Sequence, residues 1–279
     1  MNMERFYRKL DMYYSSGKSV DAEYHLKEYL QDAREKEDYS ALLIVCNELG
    51  GFYRAMNRSK DAIPIYIEAI HALRRLGMFN TENHATTLIN QATNYAVCGM
   101  TNDALTLFES ARLIFEELGI TTDFRIASLH NNISIVYQDT GQYDNAIEHL
   151  NKALNILCQL EDTEIEVATT YINMSQIKYQ ARKYPDALEY IEKALELFDS
   201  AKALTDTHYS VALETHGYIC ESLHMYADSM ISFQKAAMLV REQYGEEHDG
   251  YISLKNSIER VKESLFASES ESYETSRTI

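Results

Sequence analysis

Apolar residues recur along this chain at intervals of three and four, in runs several turns long broken by a few polar positions, which is a helical period with no strand-like alternation. The runs repeat. DAIPIYIEAI, DALTLFESAR, NAIEHLNKAL, DALEYIEKAL and SMISFQKAAM align without gaps and bring Ala62, Ala104, Ala146, Ala187 and Met230 to one register, at spacings of 42, 42, 41 and 43 residues. Seven residues on, two turns along the same face, each copy carries a second small residue: Ala69, Ala111, Ala153, Ala194 and Ala237. Such positions let two helices approach closely. Nine residues before the first alanine lies Tyr53, Tyr95 or Tyr137, at the end of an earlier apolar-periodic run such as ASLHNNISIVYQDTG. Asn57, Gly99 and Gly141 then supply residue types that accept the left-handed conformation after a helix. Asp61, Asp103, Asp144 and Asp186 suit the positive end of the next helix, and Pro185 suits its first turn. Each period therefore predicts a helix hairpin.

The opening segment, with Tyr13, Gly17 and Ala22, follows the scheme more loosely and makes six hairpins, over about 1–38, 39–79, 80–121, 122–162, 163–206 and 207–247. Tyr251, Leu254, Ile258, Val261 and Leu265 form a narrow apolar stripe, predicting a capping helix over 248–265. A single solenoid domain over 1–265 follows, and the polar stretch 266–279 is expected to be a disordered tail.

A helix bearing Tyr, a Gly turn, then Asp-Ala with a further Ala seven residues on resembles the tetratricopeptide repeat family, over residues 6–245. The period near 42 is longer than the commonest form and is similar to the repeats of kinesin light chain and of Rap-type bacterial peptide-sensing regulators. The resemblance implies an all-α, right-handed α-α superhelix of about six hairpins plus a C-terminal capping helix. Lys178 and Glu221 stand where the tyrosine is expected, Arg182 and Met225 where the glycine is, and Met230 where the alanine is, so the fifth and sixth repeats are expected to pack irregularly. HEAT repeats share the period, but the paired alanines, tyrosine and Gly turn fit them poorly.

In this family the first helices of successive repeats line a concave wall. One register there holds Asn90, Asn132 and Asn173, with Glu48 in the second repeat and His216 in the sixth. Around them the same face offers Thr86, Thr93, Ser128, Asn131, Asp139, Thr169, Gln176 and Gln180. Asparagine within a helix costs roughly 0.5–0.7 kcal/mol relative to alanine, so the row needs a compensation. Either the amides hold the main chain of an extended peptide, or they bond across to the neighbouring hairpin or descend from an ancestral repeat.

Charge narrows the partner. With 26 basic and 43 acidic side chains the net charge is −17, which repels a phosphate backbone, and no basic stripe offsets it, so nucleic acid is not expected. No apolar run approaches membrane-spanning length and the start MNMERFYRKL has no signal-peptide pattern, so no membrane partner and a cytoplasmic location are expected. Cys46, Cys98, Cys158 and Cys220 are widely spaced inside apolar helical stretches, as buried free thiols would be. The nine histidines form no HExxH, His pair or His-Cys cluster, and no phosphate loop or GxSxG elbow occurs. No metal, cofactor or catalytic residue is expected. Most of the 21 tyrosines fall at packing positions, with Tyr39 and Tyr251 candidates for exposure.

The expected function is a non-catalytic scaffold or adaptor whose concave groove binds a protein or peptide. Two alternatives remain: a peptide-responsive regulatory sensor, or the recognition half of a bacterial protein whose catalytic domain lies outside this chain. Self-association through the sixth repeat or an unshielded end is a further expectation.

Overall fold

The computed structural model describes the backbone of residues 2–276 and the side chains of residues 2–268. Helices pair with their successors along the chain: α1 (Met3–Ser15) with α2 (Ser19–Glu35), α3 (Tyr39–Ala55) with α4 (Ser59–Leu76), and α5 (Glu82–Val97) with α6 (Thr101–Glu117); after α7 (Phe124–Asp139) and α8 (Tyr143–Leu157) come α9 (Glu164–Gln180) with α10 (Tyr184–Ser200), and α11 (Thr207–Ser222) with α12 (Tyr226–Tyr244). A last helix, α13 (Asp249–Ser276), packs against α12. No strand occurs among the described residues, so the chain has the all-helical repeat fold.

A left-handed residue stands five positions before the buried small residue of each even-numbered helix from α2 to α12. These are Gly17, Asn57, Gly99, Gly141, Arg182 and His224, with φ between 56° and 76°. The small residues Ala22, Ala62, Ala104, Ala146 and Ala187 are wholly buried. A large side chain one turn on is buried with them: Leu26, Tyr66, Phe108, Leu150 and Ile191. The first helix must yield space for that side chain. At Gly50 of α3 an added Cβ would lie 2.5 Å from Cζ of the Tyr66 ring, and at Gly217 of α11 it would lie 2.6 Å from Cε1 of Phe233. These two glycines are close-approach positions, fixed by rings that fill the space a methyl group would take.

The sixth repeat sits one residue from the register read in the sequence. Ser229, not Met230, is wholly buried at the first small position, and Ala236, not Ala237, is wholly buried seven residues later. The left-handed residue is His224, not Met225, and the tyrosine position falls on buried Cys220 rather than Glu221. Matching apolar letters favoured Met230. At a close helix crossing, however, a hydroxyl that can bond a carbonyl fits where a long side chain cannot. Ser229 Oγ donates to the Gly217 carbonyl at 2.8 Å. The fifth hairpin makes the same bond with its chemistry reversed, Ser175 Oγ of α9 donating to the Ala187 carbonyl of α10 at 2.8 Å.

The chain divides into two compact units, Met1–Val136 and Tyr137–Ile279. The first has a continuous core running from Phe6 and Leu10 through Leu26 and Leu49 to Tyr66 and Leu73. There α3 touches α5 directly, so first helices adjoin first helices. The bidentate pair Arg34–Glu68 and the pair Arg58–Glu23 tie α2 to the second hairpin at its surface. In the second unit, Ala168, Ile172, Ile191 and Phe198 form one core cluster. Phe233, Ala236, Leu254 and Val261 form another, which seats α13. Arg260 of α13 holds Glu221 of α11 through two bonds of 2.7 and 2.8 Å. Helix α13 continues to Ser276, past Leu265 where the sequence reading begins a polar tail. Once a packed turn has nucleated a helix, adding further turns costs little. Residues 277–279 of that stretch lie outside the described residues.

Two of the four free cysteines depart from the expected burial. Cys46 and Cys220 are buried, but Cys98 is half-buried and Cys158 exposed. Both of the latter sit at helix C-caps, beyond the packed face. Tyr39 and Tyr251 are half-buried, while Tyr7, Tyr14, Tyr24 and Tyr244 are the exposed tyrosines among the described residues.

Candidate functional site

In the first unit the first-helix layer opens into a cavity of about 380 Å3, lined from α1, α3 and α5 and from the end of α4 and the turn after it. Its floor is apolar, made by Leu43, Ile44, Leu76 and Met78; its polar lining includes Asn47, Glu48, Thr86 and Asn90, with Tyr7 of α1 at one side. The register that brings Glu48 and Asn90 here is the repeat period itself, since the two occupy equivalent places in adjoining hairpins.

Asn90 is not free-standing. Its Nδ2 donates to Asn47 Oδ1 at 3.0 Å, and Asn47 Nδ2 donates in turn to the Leu43 carbonyl at 3.0 Å and to Thr87 Oγ1 at 3.1 Å. The bond across to the neighbouring hairpin is therefore made, by a partner that the register argument overlooked. Asn47 lies one position before the row, where it was available to be read: 43 residues from Asn90, one more than the period. The cross-hairpin bond compensates Asn90 for its helix propensity and leaves its Oδ1 available to accept.

Glu48 has a different environment. It is half-buried, it lies near enough to the Tyr7 hydroxyl for each to influence the other's protonation, and no basic side chain pairs with it among the described residues. Burial, and then the charge of Asp11, raise its pKa above the usual carboxylate range. Tyr14, held by burial and by the charges of Glu48 and Asp11, is pushed up to about 12. Several other acids of this unit have cationic neighbours. Glu23 pairs with Lys27 and Arg58, Glu68 with Arg34, and Glu82 with Arg125.

The remaining expected residues fall into two groups. In the first unit, Thr86 lines the cavity, and Thr93 is half-buried with its hydroxyl bonded to the Ile89 carbonyl of its own helix. Ser128, Asn131 and Asn132 are half-buried on α7. Asn131 bonds the Ala127 carbonyl at 3.3 Å, whereas the Asn132 side chain makes no hydrogen bond among the described residues. In the second unit Asn173 is half-buried and Thr169 bonds back to the Ile165 carbonyl. Gln176 Nε2 reaches Thr215 Oγ1 of α11 at 3.4 Å, a longer version of the Asn90–Asn47 crossing. Gln180 and Asp139 are exposed.

His216 does not belong to the row. With the sixth repeat in its structural register, the counterpart of Asn173 is Thr215. The His216 ring faces its own hairpin partner: Nδ1 lies 2.8 Å from Ser232 Oγ of α12, and Nε2 lies 3.5 Å from Cys220 Sγ. The His-Cys contact at a spacing of four was missed in the sequence. It is closed chemistry, since burial lowers the histidine pKa and pushes the Cys220 thiol up to about 12, which disfavours both thiolate and imidazolium. No group of three or more metal-ligating side chains occurs among the described residues, and no helix among them is long and apolar enough to cross a membrane.

The tetratricopeptide repeat family model matches residues 83–159 and 125–200. No curated protein matches the chain in sequence. Solved structures are similar in fold. The crystal structure of BtubC (BKLC) from P. vanneervenii has a TM-score of 0.64 at 16% identity, covering 83% of this chain and 94% of that one. NprR in complex with its cognate peptide NprX has a TM-score of 0.63 at 18% identity, covering 98% of this chain and 83% of that one. The apo form of RapI has a TM-score of 0.61 at 16% identity, covering 94% and 72%.

Proposed function

We propose that this chain, whose residues 83–200 match tetratricopeptide repeats and whose helices pair in that manner, is a non-catalytic scaffold that binds an extended segment of another protein on its first-helix face. One observation carries the reading. The cavity between α1, α3 and α5 combines an apolar floor with half-buried polar side chains that still have unused capacity, namely the Asn90 Oδ1 and the Glu48 carboxylate. Extended peptides present main-chain donors and acceptors at regular intervals, together with side chains that need apolar contact. Such a face satisfies both needs. The fold similarity to NprR, solved with its cognate peptide, supports a peptide as the occupant.

The net charge of −17 favours a basic ligand over an acidic one and speeds its encounter. A cytoplasmic setting, where thiols stay reduced, suits the exposed Cys158. The test is selection of peptides from a displayed random library on the full chain, followed by titration against Thr86→Trp, which fills the cavity. Loss of binding in that variant, with an unchanged thermal melt, supports the reading. Full retention of affinity by every selected peptide places the ligand elsewhere and contradicts it.

A further inference from the structure

The cavity in the first unit is chemically asymmetric. Leu43, Ile44, Leu76 and Met78 make an apolar floor, while Glu48 places a carboxylate at the edge where Tyr7 stands. That carboxylate shares the cavity lining with the Tyr7 hydroxyl and feels the charge of Asp11. Two carboxylates thus act on one place, with no lysine or arginine paired to Glu48 among the described residues. Taking a carboxylate partly out of water without a partner is unfavourable unless something restores the lost hydration. Tyr7 offers one hydroxyl, and its ring, like that of Tyr14, is exposed, 40% and 46% respectively.

A long cationic side chain matches each of these features. Its methylene stem lies on the apolar floor, as lysine and arginine stems do on apolar surface elsewhere. Its charged head meets the carboxylate, where a guanidinium can bond both oxygens in its own plane and stack on a tyrosine ring. We propose that the Glu48 cavity is a subsite for one arginine or lysine side chain of the bound peptide, setting ligand specificity at the N-terminal end of the chain. The inference rests on the peptide-binding reading given above. An acidic, phosphorylated or purely apolar residue in this place would meet the unpaired carboxylate and lose affinity.

Peptides selected from a displayed random library on the full chain provide the test. For the tightest binder, affinity is measured by fluorescence anisotropy for the wild-type protein and for Glu48→Gln, Thr86→Trp and, as an outer-face control, Thr106→Ala. Each is measured against the peptide and its substituted forms, in which one basic residue becomes citrulline or norleucine. The expected result is a basic residue at a constant position among the selected peptides. A loss of at least about tenfold should follow either its replacement or Glu48→Gln, and the two changes together should cost little more than either alone. Comparison of arginine, lysine and citrulline forms tells guanidinium from ammonium recognition. Peptides that lack a basic residue, or keep full affinity for Glu48→Gln, while losing binding to Thr86→Trp, overturn the cationic subsite and leave the peptide-binding reading standing. Peptides indifferent to both Thr86→Trp and Glu48→Gln, or no enrichment at all, overturn both. Thermal melts of each variant guard against loss of fold as the cause.

Discussion

Asn90 on α5 donates through its side-chain amide to Asn47 on α3 at 3.0 Å, so one asparagine of the expected binding row is engaged by the hairpin before it. A hydrogen bond of this kind contributes about 1 kcal/mol net, and leaving one half-buried partner unpaired costs as much again. Asn47→Ala should lower stability by about 1–2 kcal/mol, since it strands Asn90 Nδ2 and removes the donor to Thr87 Oγ1, although that hydroxyl keeps its bond to the Asn83 carbonyl. Asn90→Ala should cost less, because Asn47 keeps its bonds to Leu43 and Thr87. Urea unfolding of the singles and the double variant should give a coupling of about 0.5–1 kcal/mol. Strict additivity would show that the amide pair contributes nothing.

The register of the sixth repeat makes a prediction of opposite sign to the sequence alignment. Ser229 is at the buried crossing and Met230 is half-buried beside it. Ser229→Met should overpack the crossing and destabilise by about 1–3 kcal/mol, whereas Met230→Ala should cost about 1 kcal/mol or less, with both read from chemical denaturation. Equal or reversed costs would restore the register with Met230 inside.

These two cases show where sequence pattern carries the fold and where it stops. The 42-residue period of Ala62 to Ala104 and Ala104 to Ala146 was legible because small buried residues and their helical spacing are written directly in the letters. The sixth repeat was misplaced because a buried serine reads as polar until its carbonyl partner is known. The row of asparagines was legible as a row, but not its partner Asn47, since a bond between helices 43 residues apart depends on how the hairpins stack. Glu48 was visible as the odd member of the row. Its lack of a counter-ion was not, because pairing is a property of neighbours in space.

Burial raises the Glu48 pKa above the ordinary carboxylate value. A carboxylate whose folded pKa lies above its unfolded one contributes stability below the unfolded value and loses that contribution as pH rises through the folded one. At neutral pH the ionised form is therefore a cost to folding in the unliganded protein. Glu48→Gln should raise the thermal midpoint near pH 7, and the advantage should shrink as pH falls toward about 4. A midpoint at pH 7 below that of the wild type would contradict the unpaired-carboxylate description.

His25 behaves in the opposite sense. Its ring packs on Phe6 and Tyr29, with centroids 5.4 and 4.7 Å away, its Nε2 lies 3.1 Å from the Phe6 carbonyl, and burial lowers its pKa. Folding then favours the neutral ring, and this contribution is present above the unfolded value of about 6.5 and lost as pH falls through the lower folded value. Amide protection factors, taken relative to the intrinsic exchange rate at each pH, should fall in α1 and α2 on acidification from about pH 7 to 5 more than in α9 and α10, and His25→Phe should reduce that difference. A uniform loss of protection along the chain would remove His25 as the cause.

Peptide binding on this face requires that the ligand lie against the first helices of the N-terminal unit. Photo-crosslinking measures this directly, with benzoylphenylalanine placed at exposed Asn83 on the cavity rim or at exposed Thr106 on α6. In each case it is irradiated with a library-selected peptide bound to the full chain. A covalent adduct from position 83 and none from position 106 is the predicted result. An adduct from position 106 with none from position 83 would contradict it.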